Sequence, residues 1–310
     1  MRIKRTQLRK RLWLLGLAGV LAHTEAQASV RPVQESLLAW GVAAQESLCP
    51  SLESYLWVRD DKETFCIRYF SGGRVVDAET VIVQFYGDRD QFLHQPIEQI
   101  PYNTADAQQA YAAQQATRGG VPFVIMARPG TYGSSGDHRL RRQKNEFIAL
   151  SLALDAFKQR YGTKRFVLLG HSGGATVIAG LLTLGRNDIK CAVMSSGAYN
   201  YIARDVLWRM DHGRPLDFDR ASQRVLNKYD PMFHASGVET DTARKLYIVG
   251  DRRDSNTPFH LQVEFAWILN GYGHHAEVVE MEGREPQYHN IKGSGPFELA
   301  IRCADVPFVR

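Results

Sequence analysis

Gly170-His171-Ser172-Gly173-Gly174 is the stretch whose residue types and spacing could do chemistry most directly. A serine hydroxyl is a weak nucleophile until a base takes its proton. Histidine suits that task because its pKa lies near neutrality, and an acid must orient it. The stretch has G-x-S-x-G spacing, with an apolar run, Phe166 to Leu169, before it and a helix-like run, Ala175 to Leu182, after it. A serine on so tight a strand-to-helix turn needs small neighbours, because its backbone is strained and the flanking elements nearly touch. Such a turn lifts the hydroxyl clear of the sheet edge and aims a helix N-terminus at it. Ser172 is the expected nucleophile.

On such a frame the chain order is serine, then acid, then histidine. Lys245 to Gly250 reads as a strand, and Asp251 and Asp254 follow it. Asp254 is the preferred acid, because it lies deeper in a loop that Pro258 closes by starting a helix. Asp251 directly follows the strand glycine and suits a turn role, yet it stays open as the alternative acid. After the strand expected at Ala276 to Met281, His289 is the only histidine of the next loop, and it takes the base position. His274 and His275 precede that strand and are expected at the opposite sheet edge. His171 is expected to pack away from the working face of the serine, while His234 and His260 have no expected role in the site. The negative charge of a tetrahedral intermediate needs donors. One is the backbone N–H of Gly173. The other belongs to Tyr86-Gly87-Asp88, as the Asp88 backbone N–H or a Tyr86 group.

The elbow at Ser172, the Asp254 to Pro258 loop and the late His289 resemble the α/β-hydrolase superfamily, in the manner of prolyl-oligopeptidase-like and dienelactone-hydrolase-like serine hydrolases. Asp230-Pro231 and the glycine-rich loop Arg128 to Gly136 resemble turns that such enzymes carry. The resemblance runs from about Val81 to His289. It implies cleavage of an ester or amide bond through an acyl-enzyme, with a small ester or short peptide as substrate. It implies no metal and no organic cofactor. One departure stands out: Tyr86-Gly87-Asp88 replaces the His-Gly-Gly often found there, which keeps the second oxyanion donor open. A catalytically silent binding protein on the same fold, or an acyltransferase, is the alternative reading.

The elements that must position these residues alternate from about Ser54 onward. Strands are expected at Tyr55 to Val58, Phe65 to Phe70, Val81 to Tyr86, Val121 to Ala127, Phe166 to Leu169, Cys191 to Met194, Lys245 to Val249 and Ala276 to Met281. Helices are expected at Thr104 to Thr117, Glu146 to Tyr161, Pro258 to Tyr272 and Phe297 to Cys303. This pattern implies an α/β class, with a mostly parallel central sheet and helices on both faces. Residues 199–244 interrupt the alternation before the acid-bearing strand. They read either as a small insertion that caps the site or as an excursion with no substrate role.

Residues 1–28 read as an export signal, with a basic n-region from Arg2 to Arg11, a short apolar stretch from Leu12 to Ala22, and a cleavage site at Ala26-Gln27-Ala28. The hydrolase-like domain is then 29–310, exported to a periplasmic or secreted location with no stable membrane span. Six Lys/Arg and one Glu in the leader account for the whole formal net charge of +5. Residues 29–310 are net neutral, which gives no support to nucleic-acid binding. Four cysteines in an exported chain suggest two disulfides, expected as Cys49 with Cys66 and Cys191 with Cys303. No cysteine and histidine cluster has zinc-like spacing. Nothing in the sequence sets the oligomeric state.

Overall fold

The computed structural model describes residues 37–49, 54–215 and 227–305. The expected leader lies outside these described residues. Eight strands form one sheet: β1 (Tyr55–Arg59), β2 (Thr64–Gly72), β3 (Thr80–Phe85), β4 (Phe123–Met126), β5 (Arg165–His171), β6 (Ile189–Ser195), β7 (Lys245–Gly250) and β8 (His275–Glu280). Their order is β1-β2-β4-β3-β5-β6-β7-β8. The β1–β2 and β2–β4 pairs are antiparallel, and every later pair is parallel. The turn between β1 and β2 has a local cause. Asp60 Oδ1 accepts the N–H groups of Lys62 and Glu63, so the side chain closes the reversal.

Strand residues alternate between two cores, as a period of two requires. Phe166 and Leu168 of β5 face one core, and Val167 and Leu169 face the other. The first core is covered by α2 (Lys144–Tyr161), α3 (Gly173–Thr183) and a helix at Phe259–Gly271, numbered α5. The second is covered by α1 (Ala105–Gly119) and by α6 (Gly295–Cys303). Helix α1 starts where Thr104 Oγ1 accepts the Ala107 N–H, and it stops where Gly120 turns left-handed at φ 62°. Every residue of α3 is buried, so this helix is apolar all round. The stretch 199–244 holds α4 (Tyr201–Asp211) and a 3₁₀ turn at Pro231–Gly237. Asp230 joins the two: its Oδ2 accepts the Tyr201 N–H and its Oδ1 the Met232 N–H. Residues 216–226 lie outside the described residues.

Parallel pairing brings the C-terminal ends of β3, β5, β7 and β8 to one edge. The loops that carry Asp88, Ser172, Asp254 and His289 therefore meet there. No helix among the described residues is long and apolar enough to cross a membrane.

Two disulfides tie the periphery to the sheet. Cys49 joins Cys66 of β2 with Cα atoms 5.7 Å apart, and Cys191 of β6 joins Cys303 of α6 at 5.9 Å. The second closes a far longer stretch of chain, 112 residues against 17. Loop-closure entropy grows with that length. Replacing Cys191 and Cys303 by serine is expected to lower stability by about 2–4 kcal/mol, and replacing Cys49 and Cys66 by less. Denaturant midpoints of the two double variants check the order.

Candidate active site

Ser172 sits at φ 54°, ψ −120°, a backbone conformation that side chains rarely adopt. Two glycines make it sterically feasible. A Cβ on Gly170 would lie 2.5 Å from the Gly174 backbone, and one on Gly174 would lie 2.1 Å from the Phe85 carbonyl oxygen. Strand β5, helix α3 and the end of β3 thus approach closer than any side chain permits. The Ser172 N–H donates to the Ser195 carbonyl at 2.8 Å, which anchors the turn on β6.

His289 Nε2 lies 2.9 Å from Ser172 Oγ. On the other side of the ring, Nδ1 lies 2.9 Å from Asp254 Oδ2 and 3.2 Å from Oδ1. A carboxylate only accepts, so it places the ring proton on Nδ1 and leaves Nε2 to accept from the serine. Asp254 and His289 are both buried. Asp254 Oδ1 also accepts the N–H groups of Asn256 and Thr257, each at 2.9 Å. The Thr257 hydroxyl lies 2.8 Å from Asp254 Oδ2 and 3.0 Å from the Ser196 carbonyl, and its single hydrogen serves one of them at a time. The Ser196 hydroxyl donates to the His289 carbonyl at 2.7 Å. Thr257 and Ser196 were not legible as site residues, because neither belongs to a motif.

Asp251, the alternative acid, does not reach His289. Its carboxylate accepts from the Arg253 guanidinium at 2.9 and 3.0 Å and from the Gly283 N–H at 2.6 Å. Arg253 holds this carboxyl well below the usual carboxylate range. Arg253 also lies 4.0 Å over the Tyr288 ring, so Asp251 braces the β7 loop against the loop that carries His289.

Gly87 approaches Ser172 so closely that a Cβ on it would lie 3.2 Å from the serine Cβ. The Tyr86 hydroxyl is committed elsewhere, donating to Gln108 Oε1 at 2.9 Å on α1. Of the groups of Tyr86, the hydroxyl is thus engaged away from Ser172. The backbone of Gly87 lies beside Ser172, and the Asp88 carboxylate packs against Gly173. His171 also departs from expectation. Its ring centre lies 5.0 Å from that of His289, and it borders the same cavity as Ser172. Its Nε2 lies 3.1 Å from Asn290 Oδ1. His274 and His275 sit at the start of β8, at the opposite sheet edge.

No protein-family model and no curated protein sequence matches the chain. Solved structures do. An esterase from Pyrococcus furiosus superposes with a TM-score of 0.53 at 15% identity, over 88% of this chain and 97% of that one. The acylaminoacyl peptidase of Pyrococcus horikoshii gives 0.52 at 16% identity over 81% of this chain. This chain spans only 40% of that peptidase. Est1E from Butyrivibrio proteoclasticus gives 0.51 at 11% identity, over 81% and 96% of the two chains. The chain has the α/β-hydrolase fold.

Beneath the α/β-hydrolase elbow lies a buried ionic cluster that sequence reasoning missed. Arg128, 1% exposed, donates to Asp88 Oδ1 at 2.8 Å and to Glu146 Oε1 at 2.7 Å. Asp88 also pairs with Arg142, and Arg141 Nε lies 3.3 Å from it. Burial alone would raise the Asp88 carboxyl, but Arg142, Arg128 and Arg141 hold it far below the usual range. A Cβ on Gly173 would strike Asp88 Oδ1 at 1.9 Å, so this cluster packs directly on the first turn of α3. The cavity above it, about 520 Å³, contains Ser172 and His289 and is also bordered by Arg204 of α4. Helix α4 thus reaches the cavity through Arg204.

Two histidines of the cluster region are held neutral. Burial, then the Arg128 charge, lowers His138 to about 4. Burial, then His289, lowers His171 to about 4. The unfolded chain takes up these protons near pH 6.5, and the folded protein only near 4. Stability is therefore full above about pH 6.5 and falls as the pH drops through that window. Asp230, raised to about 7 by burial, acts in the opposite direction. A variant isolates one contribution. His138→Gln, which keeps an acceptor for the Arg89 N–H, is expected to lose about 2 kcal/mol less than the parent between pH 7 and pH 5. Denaturant titrations at the two pH values measure the difference.

Proposed function

We propose that the protein is an exported serine hydrolase that cleaves an ester or amide bond through an acyl-enzyme. The observation that carries this reading is the unbroken line Ser172 Oγ, His289 Nε2, His289 Nδ1, Asp254 Oδ2, with 2.9 Å at each junction. The esterase and peptidase names of the structural neighbours agree with it.

In this mechanism Ser172 Oγ attacks the substrate carbonyl while His289 Nε2 takes the serine proton. Asp254 stabilises the imidazolium that forms and keeps the ring in place. The tetrahedral oxyanion is held by the Gly173 N–H at the start of α3 and by an N–H of the Gly87-Asp88 turn. His289 then protonates the leaving alcohol or amine, whose bond to the carbonyl carbon breaks. Water, deprotonated by the same nitrogen, attacks the acyl-enzyme and releases the acid. Small esters and short peptides suit a cavity of about 520 Å³. Export is supported by the two disulfides and by the signal-like leader.

A fluorophosphonate probe is expected to label Ser172, and Ser172→Ala to abolish both labelling and hydrolysis of 4-nitrophenyl esters. Asp254→Ala is expected to lower kcat roughly 10³- to 10⁴-fold. Asp251→Ala should act chiefly on stability, because its carboxylate braces two loops. A larger loss of turnover in Asp251→Ala than in Asp254→Ala would move the acid to Asp251.

A further inference from the structure

The cavity that holds Ser172 and His289 is bordered by more guanidinium than carboxylate. Arg89, Arg141, Arg142 and Arg204 line it against Asp88 and Asp90. Arg142 and Arg141 are matched by those two aspartates. Arg89 and Arg204 make no ion pair among the described residues. By contrast, Arg128 and Arg186 elsewhere in the interior each meet two carboxylates.

Arg89 and Arg204 are set in place by neutral groups. Arg204 Nε donates to the Asn256 carbonyl at 2.7 Å, and Nη2 donates to Asn256 Oδ1. Those bonds use one edge of the guanidinium and leave Nη1 for another acceptor. Asn256 lies between Asp254 and Thr257, so Arg204 is registered to the acid loop. The Arg89 guanidinium lies 4.9 Å over the Tyr86 ring, and its backbone N–H donates to His138 Nε2 at 3.2 Å. Both guanidiniums are thus oriented by neutral groups among the described residues, and Asp88 and Asp254 act on Arg204 only through space. Positive charge gathered in a partly buried, walled site costs free energy that a bound anion relieves. A guanidinium offers a planar fork of N–H donors that fits a carboxylate.

We propose that the Ser172 cavity takes a carboxylate-bearing ester or short peptide, with the anionic group held by Arg89 and Arg204. This rests on the serine hydrolase reading and adds the substrate class to it. The carboxylate belongs to the acyl part, as in a hemi-ester of a dicarboxylic acid, or to the leaving part, as in a peptide C-terminus.

The test compares kcat/KM for three chromogenic esters. These are 4-nitrophenyl pentanoate, the 4-nitrophenyl hemi-ester of glutaric acid, and the pentanoate of a carboxylated 4-nitrophenol. At least one anionic ester is expected to exceed the neutral one by about tenfold, and which one it is assigns the carboxylate to the acyl or the leaving part. The anionic-to-neutral ratio is the readout, because it does not depend on the fraction of active protein. Arg204→Gln and Arg89→Gln are each expected to lower that ratio about tenfold, mainly through KM. Ratios at or below one for both anionic esters, or ratios unchanged in both variants, overturn the proposal. Failure of the hydrolase reading shows separately. If no ester is cleaved, glutarate binding is measured by calorimetry on the parent chain and on Arg204→Gln. Binding that is lost in the variant upholds the anion site without the hydrolase reading, and equal or absent binding in both overturns the site.

Discussion

The placement of the β3 loop against the start of α3 depends on one buried arginine. Arg128 follows β4, and its guanidinium bridges Asp88, beyond the end of β3, to Glu146 on α2. Three segments far apart in sequence are held at one point. Removing a partner from such a pair leaves an uncompensated buried charge, which costs about 3–5 kcal/mol, so the loops cannot drift independently. Because Asp88 also packs against Gly173, the position of the β3 loop relative to the nucleophile follows from the same contact.

An aspartate so near the proposed oxyanion position would by itself oppose the proposed chemistry. At 4 Å and an effective dielectric of about 20, two like charges repel by about 4 kcal/mol. Three arginines surround Asp88, however, and burial draws the Arg142 guanidinium down only to about 10, so it stays charged at neutral pH. The local field is therefore set by the cations and by the N-terminus of α3, and Asp88 acts as the member that fixes where those cations stand. The same excess of positive charge opens toward the cavity at Arg89 and Arg204.

Much of this was legible in the sequence, for identifiable reasons. The two glycines around Ser172 announce the elbow, because only residues without Cβ fit where β5 and α3 cross the end of β3. Asp254 and His289 were findable because each follows a strand, the apolar Lys245–Gly250 and the more polar His275–Glu280, in the chain order that follows the elbow. The arginine cluster was not. Its members come from irregular loops and from α4, and a pair such as Arg142 with Asp88 spans 54 residues without any period or motif. The partner of the Tyr86 hydroxyl was not legible for a related reason: Gln108 lies on a helix whose packing angle no local pattern reports. The place of His171 was not legible because its contacts, the His289 ring and Asn290, come from a loop more than a hundred residues away.

Alignment of Ser172, His289 and Asp254 then draws on one dipeptide at the end of β6. The Ser195 carbonyl accepts the Ser172 N–H, and the Ser196 N–H donates to the Val249 carbonyl of β7, both at 2.8 Å. The Ser196 hydroxyl holds the His289 carbonyl, and its own carbonyl lies within reach of Thr257 beside Asp254. Ser196 takes a positive φ of 50°, so its backbone is strained like that of Ser172. Strain of this kind costs of order 1–3 kcal/mol per residue and persists only where surrounding contacts outweigh it. Here they do, because β6 lies between β5, which leads into Ser172, and β7, which leads into the Asp254 loop, and it is buried along nearly its whole length. Because the Ser195 carbonyl and the Ser196 N–H belong to one planar peptide unit, a shift there would disturb Ser172 together with the His289 and Asp254 loops. The sheet interior, rather than the loops, therefore holds the 2.9 Å junctions at their length.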